Sequence, residues 1–332
     1  MKDVARHVGV SQATVSYVLN DTVDEHIPED TRERVWSAIR ELGYRPHVGA
    51  RQMRTQRTNL IGFVTDQIAT TPYAGAIIKG AQDAARQAGK MLLLVNTDGI
   101  ADVERAAIET LLEHRALGII FATMYHRPIV LPPALREVKT VLLDCYVEDR
   151  SVASVTPDEV QGGHDATEAL IKKGHRRIAF INNADPIPAT FGRLKGYQQA
   201  LTEHGIPLDQ SLIRTVAADS SVACYDSTLA LMRPASRPTA LFCFHDRMAM
   251  GAYDALRTLG LSIPGDVAVV GFDNMEVIAS ALHPGLSTMQ LPHYEMGVWS
   301  VQFLLGATTD IQGGEGPIQK VIRCPYIERA SV

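Results

Sequence analysis

Polar residues that follow short apolar runs are the first candidates for binding chemistry in this sequence. Runs such as LIGFV at 60–64 and VAVVGFD at 267–273 lack alternating polar residues, which is typical of strands buried on both faces of a parallel sheet. Ligands of open α/β sheets bind beyond the carboxyl ends of such strands. The candidate residues at these ends are Asp66, Thr123, Asp144, Asn182, His245, Asp246 and Asp273.

For three charged or titratable side chains, contact with a ligand is the favoured role. Asp273 ends the VAVVGFD run, and a helix cap or a local turn is its alternative role. Arg193 follows Phe191 and Gly192 at the predicted start of a helix, and a surface ion pair is its alternative role. His245 is expected to line a pocket rather than to pack in the core or on the surface. Catalysis by His245 would need an activated nucleophile, which the sequence does not pair with it.

No motif in the sequence supports an enzyme, a metal site or a cofactor. G-x-G-x-x-G, Walker A, H-E-x-x-H and G-x-S-x-G motifs are all missing. Gly162 and Gly163 are expected to begin a helix without the rest of a phosphate-binding motif. The four cysteines form no C-x-x-C pair, which favours buried reduced thiols over a zinc site or a disulfide. They are Cys145, Cys224, Cys243 and Cys324.

A different kind of binding surface is predicted near the N-terminus. The helix expected over 12–19 turns Val15, Val18 and Leu19 inward, and Ser11 is suited to cap its start. Its outer face lacks charge and carries Gln12, Ala13, Ser16, Tyr17 and Asn20. These residues supply the small surface, the donors and acceptors, and the apolar atoms that a helix needs in the major groove of DNA. A polar three-helix cap that binds nothing is the alternative.

Two more helices are predicted around this one. Gly9 supplies a tight turn after a helix over 2–8, and a third helix over 28–42 carries Pro28 in its first turn. Two short helices joined by a tight turn and supported by a third describe a helix-turn-helix. Its expected apolar core consists of Val4, Ala5, Val8, Val15, Val18, Leu19, Val35, Ala38, Ile39 and Leu42.

A basic segment follows the three helices. Residues 40–57 contain five arginines and one glutamate, although the whole chain has a net charge of −5. Such a segment can be disordered alone and become ordered on nucleic acid. Met53 is an apolar residue among these arginines and suits a wedge between base pairs in the minor groove. A plain solvated linker is the alternative.

The rest of the chain alternates apolar runs with amphipathic stretches, which predicts two α/β lobes of four strands or more. The strands are expected at 60–64, 91–95, 118–122, 140–144, 177–181, 212–216, 240–244 and 267–273. The helices are expected at 74–89, 102–115, 162–173, 192–204, 222–233, 247–259 and 293–305. No apolar run of about 18 residues and no secretory signal is found, so a cytoplasmic location is expected.

Several stretches, in this order, resemble the LacI/GalR family of bacterial transcriptional regulators. The resemblance is most specific in DVARHVGVSQATVSYVLN, PEDTRERVWSAIRELGYRP and ARQMRTQRT. It continues through TPYAGAIIKGAQDAA, ALIKKGHRRIAFI, FGRLKGYQQAL and ALFCFHDRMAMGAYDALRTLGLSIPGDVAVVGFDN. It covers essentially the whole chain.

The resemblance implies an all-α helix-turn-helix head at 1–45, a hinge helix at 46–58 and an α/β core at 59–332. The core would have two Rossmann-like lobes with parallel sheets, like periplasmic binding proteins. Lobe 1 would comprise about 59–157 and 286–317, and lobe 2 about 158–285 and 318–332. The protein would bind a palindromic double-stranded operator as a homodimer and act as a repressor, with no membrane partner.

The resemblance also assigns DNA-contacting residues. Gln12, Ala13 and Tyr17 would contact bases in the major groove. Ala50 would lie where two hinge helices approach closely in the minor groove, and Met53 would replace the family's intercalating leucine. The other expected DNA contacts are Ser11, Thr14, Ser16, Asn20, His47, Arg51 and Arg54.

Effectors of similar proteins bind between the two lobes. The matching positions here are Asp66, Tyr73, Asp158, Arg193, His245 and Asp273. An arginine and an aspartate on opposite sides of a sugar could donate to its hydroxyl groups and accept from them. His245 stands where many relatives have asparagine, and Ser220 where many have an aromatic residue. A purine, a nucleoside or a protein co-regulator therefore stays open beside a sugar or sugar derivative.

Two functions outside the family are the alternatives. A solute-binding receptor of a transporter would fit the two-lobed core but not the DNA-binding head or the missing secretory signal. An α/β enzyme, such as a sugar kinase or isomerase, would need a phosphate loop, a metal cluster or a nucleophile–base pair.

Overall fold

A computed structural model describes residues 1–19, 27–44, 58–71, 74–217, 220–308 and 316–332. They belong to two compact units, Met1–Thr58 and Asn59–Val332. The part of the chain described in this way contains eleven α-helices and two six-stranded sheets. Within the same residues, no helix combines the length and the apolar character that crossing a bilayer requires.

The first unit contains helices α1 (Lys2–Val8), α2 (Gln12–Leu19) and α3 (Glu29–Glu41). Gly9 ends α1 with a φ of 76°, in the left-handed region that glycine adopts without strain. Ser11 Oγ accepts a hydrogen bond of 3.0 Å from Thr14 N and so caps α2. The predicted apolar core is confirmed except at Leu42, which is 44% exposed because it follows the last turn of α3.

The second unit begins with lobe 1, which is built around an entirely parallel sheet in the order β11-β5-β4-β3-β1-β2. Helices α4 and α11 cover one face of this sheet and α5 covers the other. Its strands are β1 (Leu60–Thr65), β2 (Met91–Asn96), β3 (Ile119–Pro128), β4 (Thr140–Tyr146), β5 (Ser154–Pro157) and β11 (Gln319–Ile322). Its helices are α4 (Gly75–Gln87), α5 (Ala101–Glu113) and α11 (His293–Leu305).

Lobe 2 has a sheet in the order β12-β10-β9-β8-β6-β7, parallel except for β12. Its strands are β6 (Ile178–Asn183), β7 (Ile213–Val216), β8 (Ala240–Cys243), β9 (Ala268–Asp273), β10 (Ser287–Gln290) and β12 (Tyr326–Ile327). Its helices are α6 (Glu159–Lys172), α7 (Pro188–Glu203), α8 (Ser221–Met232), α9 (Asp246–Thr258) and α10 (Glu276–Ala279).

The eight predicted strands are all present, but the predicted lobe boundaries near the C-terminus are wrong. Residues 286–317 were expected in lobe 1, yet β10 lies in the sheet of lobe 2. Residues 318–332 were expected in lobe 2, yet β11 lies in the sheet of lobe 1. Both strands have four residues and include polar side chains, so neither has the continuous apolar run by which the eight predicted strands were found.

Helices α6 and α7 begin earlier than predicted. Asp158 Oδ1 accepts from Gln161 N at 2.9 Å and caps α6 at Glu159, so Gly162 and Gly163 lie inside the helix rather than at its start. Pro188 begins α7, where its missing N–H is not needed. Arg193 therefore lies in the second turn of α7 and not at its beginning.

Glycines allow α6 and α7 to approach closely. A Cβ atom on Gly163 would overlap the backbone of Arg193, and a Cβ on Gly196 would overlap the Val160 carbonyl group. The backbone cannot move aside without separating the two helices. This close approach sets the positions of residues along both helices.

Gly196→Ala is expected to lower the free energy of unfolding by about 2 kcal/mol, because the added methyl group overpacks the α6–α7 contact. The measurement is chemical denaturation of the purified protein. Gly75→Ala is the control, because a Cβ on Gly75 at the start of α4 meets no atom within 4 Å. Equal unfolding energies for Gly196→Ala and the wild type would contradict this packing.

Candidate functional site

The outer face of α2 is a candidate DNA-binding surface. Gln12 and Ala13 are exposed, whereas Val15 and Val18 are buried in the three-helix core. The other predicted contacts on this helix, Thr14, Ser16 and Tyr17, are partly exposed. The structure thus leaves these side chains at the surface, as the sequence predicts.

Seven predicted site residues lie outside the described part of the chain. They are Asn20, His47, Ala50, Arg51, Met53, Arg54 and Tyr73.

A cavity of about 170 Å³ lies between the two lobes of the second unit. Residues at the carboxyl ends of strands from both sheets line it, as expected for parallel α/β lobes. Its polar lining residues include His126, Asp144, Glu159, Asn183, Asp185, Arg193, His245, Arg247, Asp273 and His293. Its apolar lining residues include Met124, Pro157, Ile187, Ala189, Phe244, Met275 and Leu291.

Arg193 organises the lobe 2 side of this cavity. Its Nε atom lies 2.7 Å from Glu159 Oε2, and its Nη2 atom lies 3.5 Å from Asp273 Oδ1. The guanidinium group also donates to the Phe244 carbonyl and lies 3.6 Å from the centre of the Phe272 ring. Burial opposes its charge, but the Glu159 and Asp273 carboxylates outweigh this effect and raise the pKa of Arg193. It is therefore a fixed cation.

Asp144 is a buried carboxyl group on the lobe 1 side. Its backbone has a φ of 55°, and the pairing of β3 with β4 shifts register between Ala122 and Arg127. The Oδ1 atom of Asp144 is buried and has no hydrogen-bond partner in the protein. Burial, supported by the nearby Glu159 charge, raises the pKa of Asp144 well above its usual range. A protonated Asp144 can both donate a hydrogen bond and accept one.

Asp273 ends β9 with a φ of 98°, a conformation that is uncommon for residues other than glycine. Burial raises its pKa to about 7, although Arg193 acts in the opposite direction. A group with this pKa can exchange its proton near neutral pH. Left-handed backbone at both Asp144 and Asp273 is the kind of strain that concentrates at binding sites.

His245 lines the cavity and also begins α9. Its Nδ1 atom accepts from Met248 N at 3.0 Å, so the ring is held in place as a helix cap. The adjacent Asp246 does not line the cavity. It accepts from Met275 N at 2.7 Å and from the Thr288 hydroxyl at 2.6 Å, and so positions the loop after β9.

The structure brings Arg193, His245 and Asp273 together, but it does not place Asp66 or Asp158 among the residues that line the cavity. Asp66 pairs with Arg127 at 2.8 Å and accepts from Met124 N. Asp158 caps α6. Two other strand-end candidates, Thr123 and Asn182, are buried and bond to the backbone of neighbouring segments. These side chains shape the walls of the cavity.

Sequence reasoning missed Glu159 and His126. Glu159 follows Asp158, and aspartate is a residue type that favours the N-cap of a helix. Recognising Asp158 as the cap would have placed Glu159 at the start of α6. His126 lies on the extension of β3 beyond its apolar run, where the sequence has no recognisable strand pattern. Its Nδ1 atom is buried without a partner, and burial lowers its pKa.

Comparison with known proteins agrees with the division into a helical head and a two-lobed core. Residues 1–47 match the family described as bacterial regulatory proteins, lacI family. Residues 58–330 match the periplasmic binding proteins and sugar binding domain of LacI family. This chain belongs to the LacI family. It is therefore a DNA-binding transcriptional repressor with an effector-binding domain.

Individual relatives cover nearly the whole LacI-family chain. The HTH-type transcriptional regulator RegA of Clostridium saccharobutylicum is 36% identical over 92% of this chain and 91% of its own length. The sucrose operon repressor of Escherichia coli is 34% identical over 100% of this chain and 99% of its own length. The lac repressor dimer bound to operator and the anti-inducer ONPF has a TM-score of 0.79 at 27% identity, covering 99% of this chain and 97% of that one.

Asp273→Asn is expected to flatten the dependence of stability on pH. Between the unfolded pKa of about 4 and the folded pKa of about 7, folded Asp273 holds a proton that the unfolded chain has lost, so stability falls as pH rises. Removing this group should reduce the fall in unfolding energy by about 1 kcal/mol per pH unit between pH 5 and pH 7. Denaturant titrations at several pH values measure it.

Asp254→Asn, which changes an exposed aspartate on α9, is the control for this slope. An unchanged slope in Asp273→Asn would show that Asp273 is ionised throughout this range.

Proposed function

We propose that this LacI-family repressor binds a palindromic operator as a homodimer and is controlled by an uncharged, hydroxyl-rich small molecule bound between its lobes. A sugar or a sugar derivative is the class of effector that fits best. The observation that carries this proposal is the unpartnered Asp144 carboxyl group in a cavity where the Arg193 charge is already matched by carboxylates.

The charges around the cavity disfavour an anionic ligand. Two arginines line it, against four carboxyl groups of Asp144, Glu159, Asp185 and Asp273. A phosphate group would lie near Glu159 and Asp185, while the buried Arg193 is already paired with Glu159 and Asp273. Hydroxyl groups, in contrast, can donate to a carboxylate and accept from a protonated carboxyl group or an arginine.

One relative and the description of the core domain support a sugar. This relative is by name the repressor of a sucrose operon, and the matching core domain is described as sugar-binding. The apolar residues Met124, Ile187 and Leu291 in the cavity would pack against the carbon skeleton of such a ligand.

Both lobes would contact one ligand, so its binding would depend on the angle between them. One angle between the lobes would favour effector binding. If the protein binds the operator with a different affinity at this angle than at other angles, its affinities for effector and operator are linked. This linkage would work for an inducer and for a corepressor alike.

Uncharged sugars are expected to raise the melting temperature, whereas their phosphates are not. At a ligand concentration of about 100 times Kd, mass action adds about 2.7 kcal/mol to the stability of the native state, which is a shift of several degrees. The measurement is thermal unfolding across sucrose, cellobiose, ribose, their phosphates and a set of purines and nucleosides.

Two variants of Asp144 sharpen this test. Asp144→Asn keeps one donor and one acceptor and should retain the shift, whereas Asp144→Ala should lose it. A shift caused by purines or by sugar phosphates alone would refute the proposed effector class. Loss of the shift in Asp144→Asn would show that an ionised carboxylate is required.

Two substitutions separate base contacts from phosphate contacts on the DNA side. Tyr17→Ala should change base preference at one position of the operator at a cost of about 1–3 kcal/mol. Arg51→Ala should weaken binding to all sequences alike and reduce the salt dependence. Binding to a selected operator and to its point variants at several salt concentrations measures both effects. Wild-type affinity and selectivity in both variants would refute these assignments.

A further inference from the structure

Three chain segments connect the lobes, and the third lies between the other two. The first leads from β5 into α6, the second from β10 into α11, and the third from β11 into β12. Asp158 N in the first segment donates to Ile322 O in the third at 2.8 Å. Gln290 N at the start of the second donates to Pro325 O in the third at 2.8 Å.

One side chain of α6 binds the backbone of this third segment. Gln161 Oε1 accepts from Cys324 N at 2.7 Å, and Gln161 Nε2 donates to Cys324 O at 3.0 Å. The same Nε2 atom donates its second hydrogen to Asp165 Oδ2. Because a carboxylate only accepts, Asp165 determines which end of the Gln161 amide carries the nitrogen. The amide is thus held in the one orientation that matches both backbone groups of Cys324.

These bonds hold the third segment at Ile322 and at Cys324, so that only Arg323 lies between the two held residues. Ile322 belongs to the parallel sheet of lobe 1 through its pairing with Pro157. Cys324 is fully buried in the lobe 2 core and lies close to α6. A Cβ atom built on Gly162 of α6 would lie only 3.2 Å from the Cβ atom of Cys324. Between them, the Arg323 side chain is 75% exposed and pairs with Asp165 at 3.1 Å. While these bonds are kept, a rotation of the lobes would change the backbone of this segment at the dihedral angles next to Arg323.

We infer that Gln161 is a positioning residue that confines the lobe hinge in this segment to Arg323 and so sets the preferred angle between the lobes. The link from this angle to operator binding rests on the proposed function. The hinge itself does not depend on any ligand. No residue of this clamp lines the cavity between the lobes.

Gln161→Leu removes all three side-chain bonds while keeping a side chain of similar size. In hydrogen exchange on the full-length protein without added ligand, the backbone amides of Ile322, Arg323 and Cys324 should exchange at least about tenfold faster than in the wild type, with the rest of lobe 2 unchanged. Gln161→Glu keeps the acceptor for Cys324 N but sets a carboxylate oxygen against the Cys324 carbonyl and the Asp165 carboxylate, so its local increase should be at least as large. Gln302→Leu, on an exposed position of α11, is the control.

The second measurement is the affinity of the same ligand-free proteins for a selected operator. Gln161→Leu should change the operator Kd about fivefold or more, and the control should not. Unchanged exchange at 322–324, or an increase spread evenly through lobe 2 together with a lower melting temperature, would overturn the inference. A local increase without any change in operator Kd would also overturn it. If no sugar raises the melting temperature in the thermal test, that result would count only against the proposed effector, because the two measurements on Gln161 variants contain no ligand.

Discussion

The buried contact of Arg193 with Glu159 and Asp273 is the interaction on which the rest of the effector cavity depends. It joins the start of α6, the second turn of α7 and the end of β9, and the bond to the Phe244 carbonyl adds the end of β8. Loss of one partner of a buried ion pair costs about 3–5 kcal/mol, because the other charge stays buried. The close approach of α6 to α7 at Gly163 and Gly196 brings the helices near enough for this contact. The position of the Arg193 charge therefore depends on the close packing of these two glycines.

This arrangement explains why the cavity is suited to an uncharged polar ligand. The fixed cation is used by the protein itself, and burial shifts neighbouring carboxyl groups toward their protonated forms. Unsatisfied buried polar atoms reduce the stability of a folded protein. His126 and Asp144 each have one such atom and line the cavity, so the proposed ligand would complete their hydrogen bonds.

Much of the fold could be predicted from the sequence. Each continuous apolar run became a strand. Burial on both faces of the sheet explains this for the central strands, whereas the edge strands β2 and β7 are partly exposed. The strands β5, β10, β11 and β12 were missed, since segments of two to four residues are too short to show a period, and three of the four include Ser, Thr or Gln. Because these short strands were not predicted, the lobe boundaries were predicted wrongly, since they depend on the sheet in which each short strand pairs.

The site was less predictable than the fold. Position at a strand end was enough to find Asp144, His245 and Asp273, and the resemblance and a local motif indicated Arg193. The same criterion also selected Asp66, which stabilises a wall instead of lining the cavity. His126 was missed because its place depends on the irregular end of β3, a tertiary feature without a local signal. The α2 residues that are predicted to contact DNA are exposed or partly exposed, while the contacts themselves stay predictions.

In the proposed function, a sugar bound in the cavity changes operator affinity. The most direct measurement is fluorescence anisotropy of labelled operator DNA, titrated with full-length protein in the presence and absence of each uncharged sugar. The account predicts that at least one sugar changes the operator Kd about fivefold or more, a coupling of about 1 kcal/mol, in the wild type and Asp144→Asn but not in Asp144→Ala. An operator Kd that no sugar changes, or that changes equally in Asp144→Ala, would contradict it.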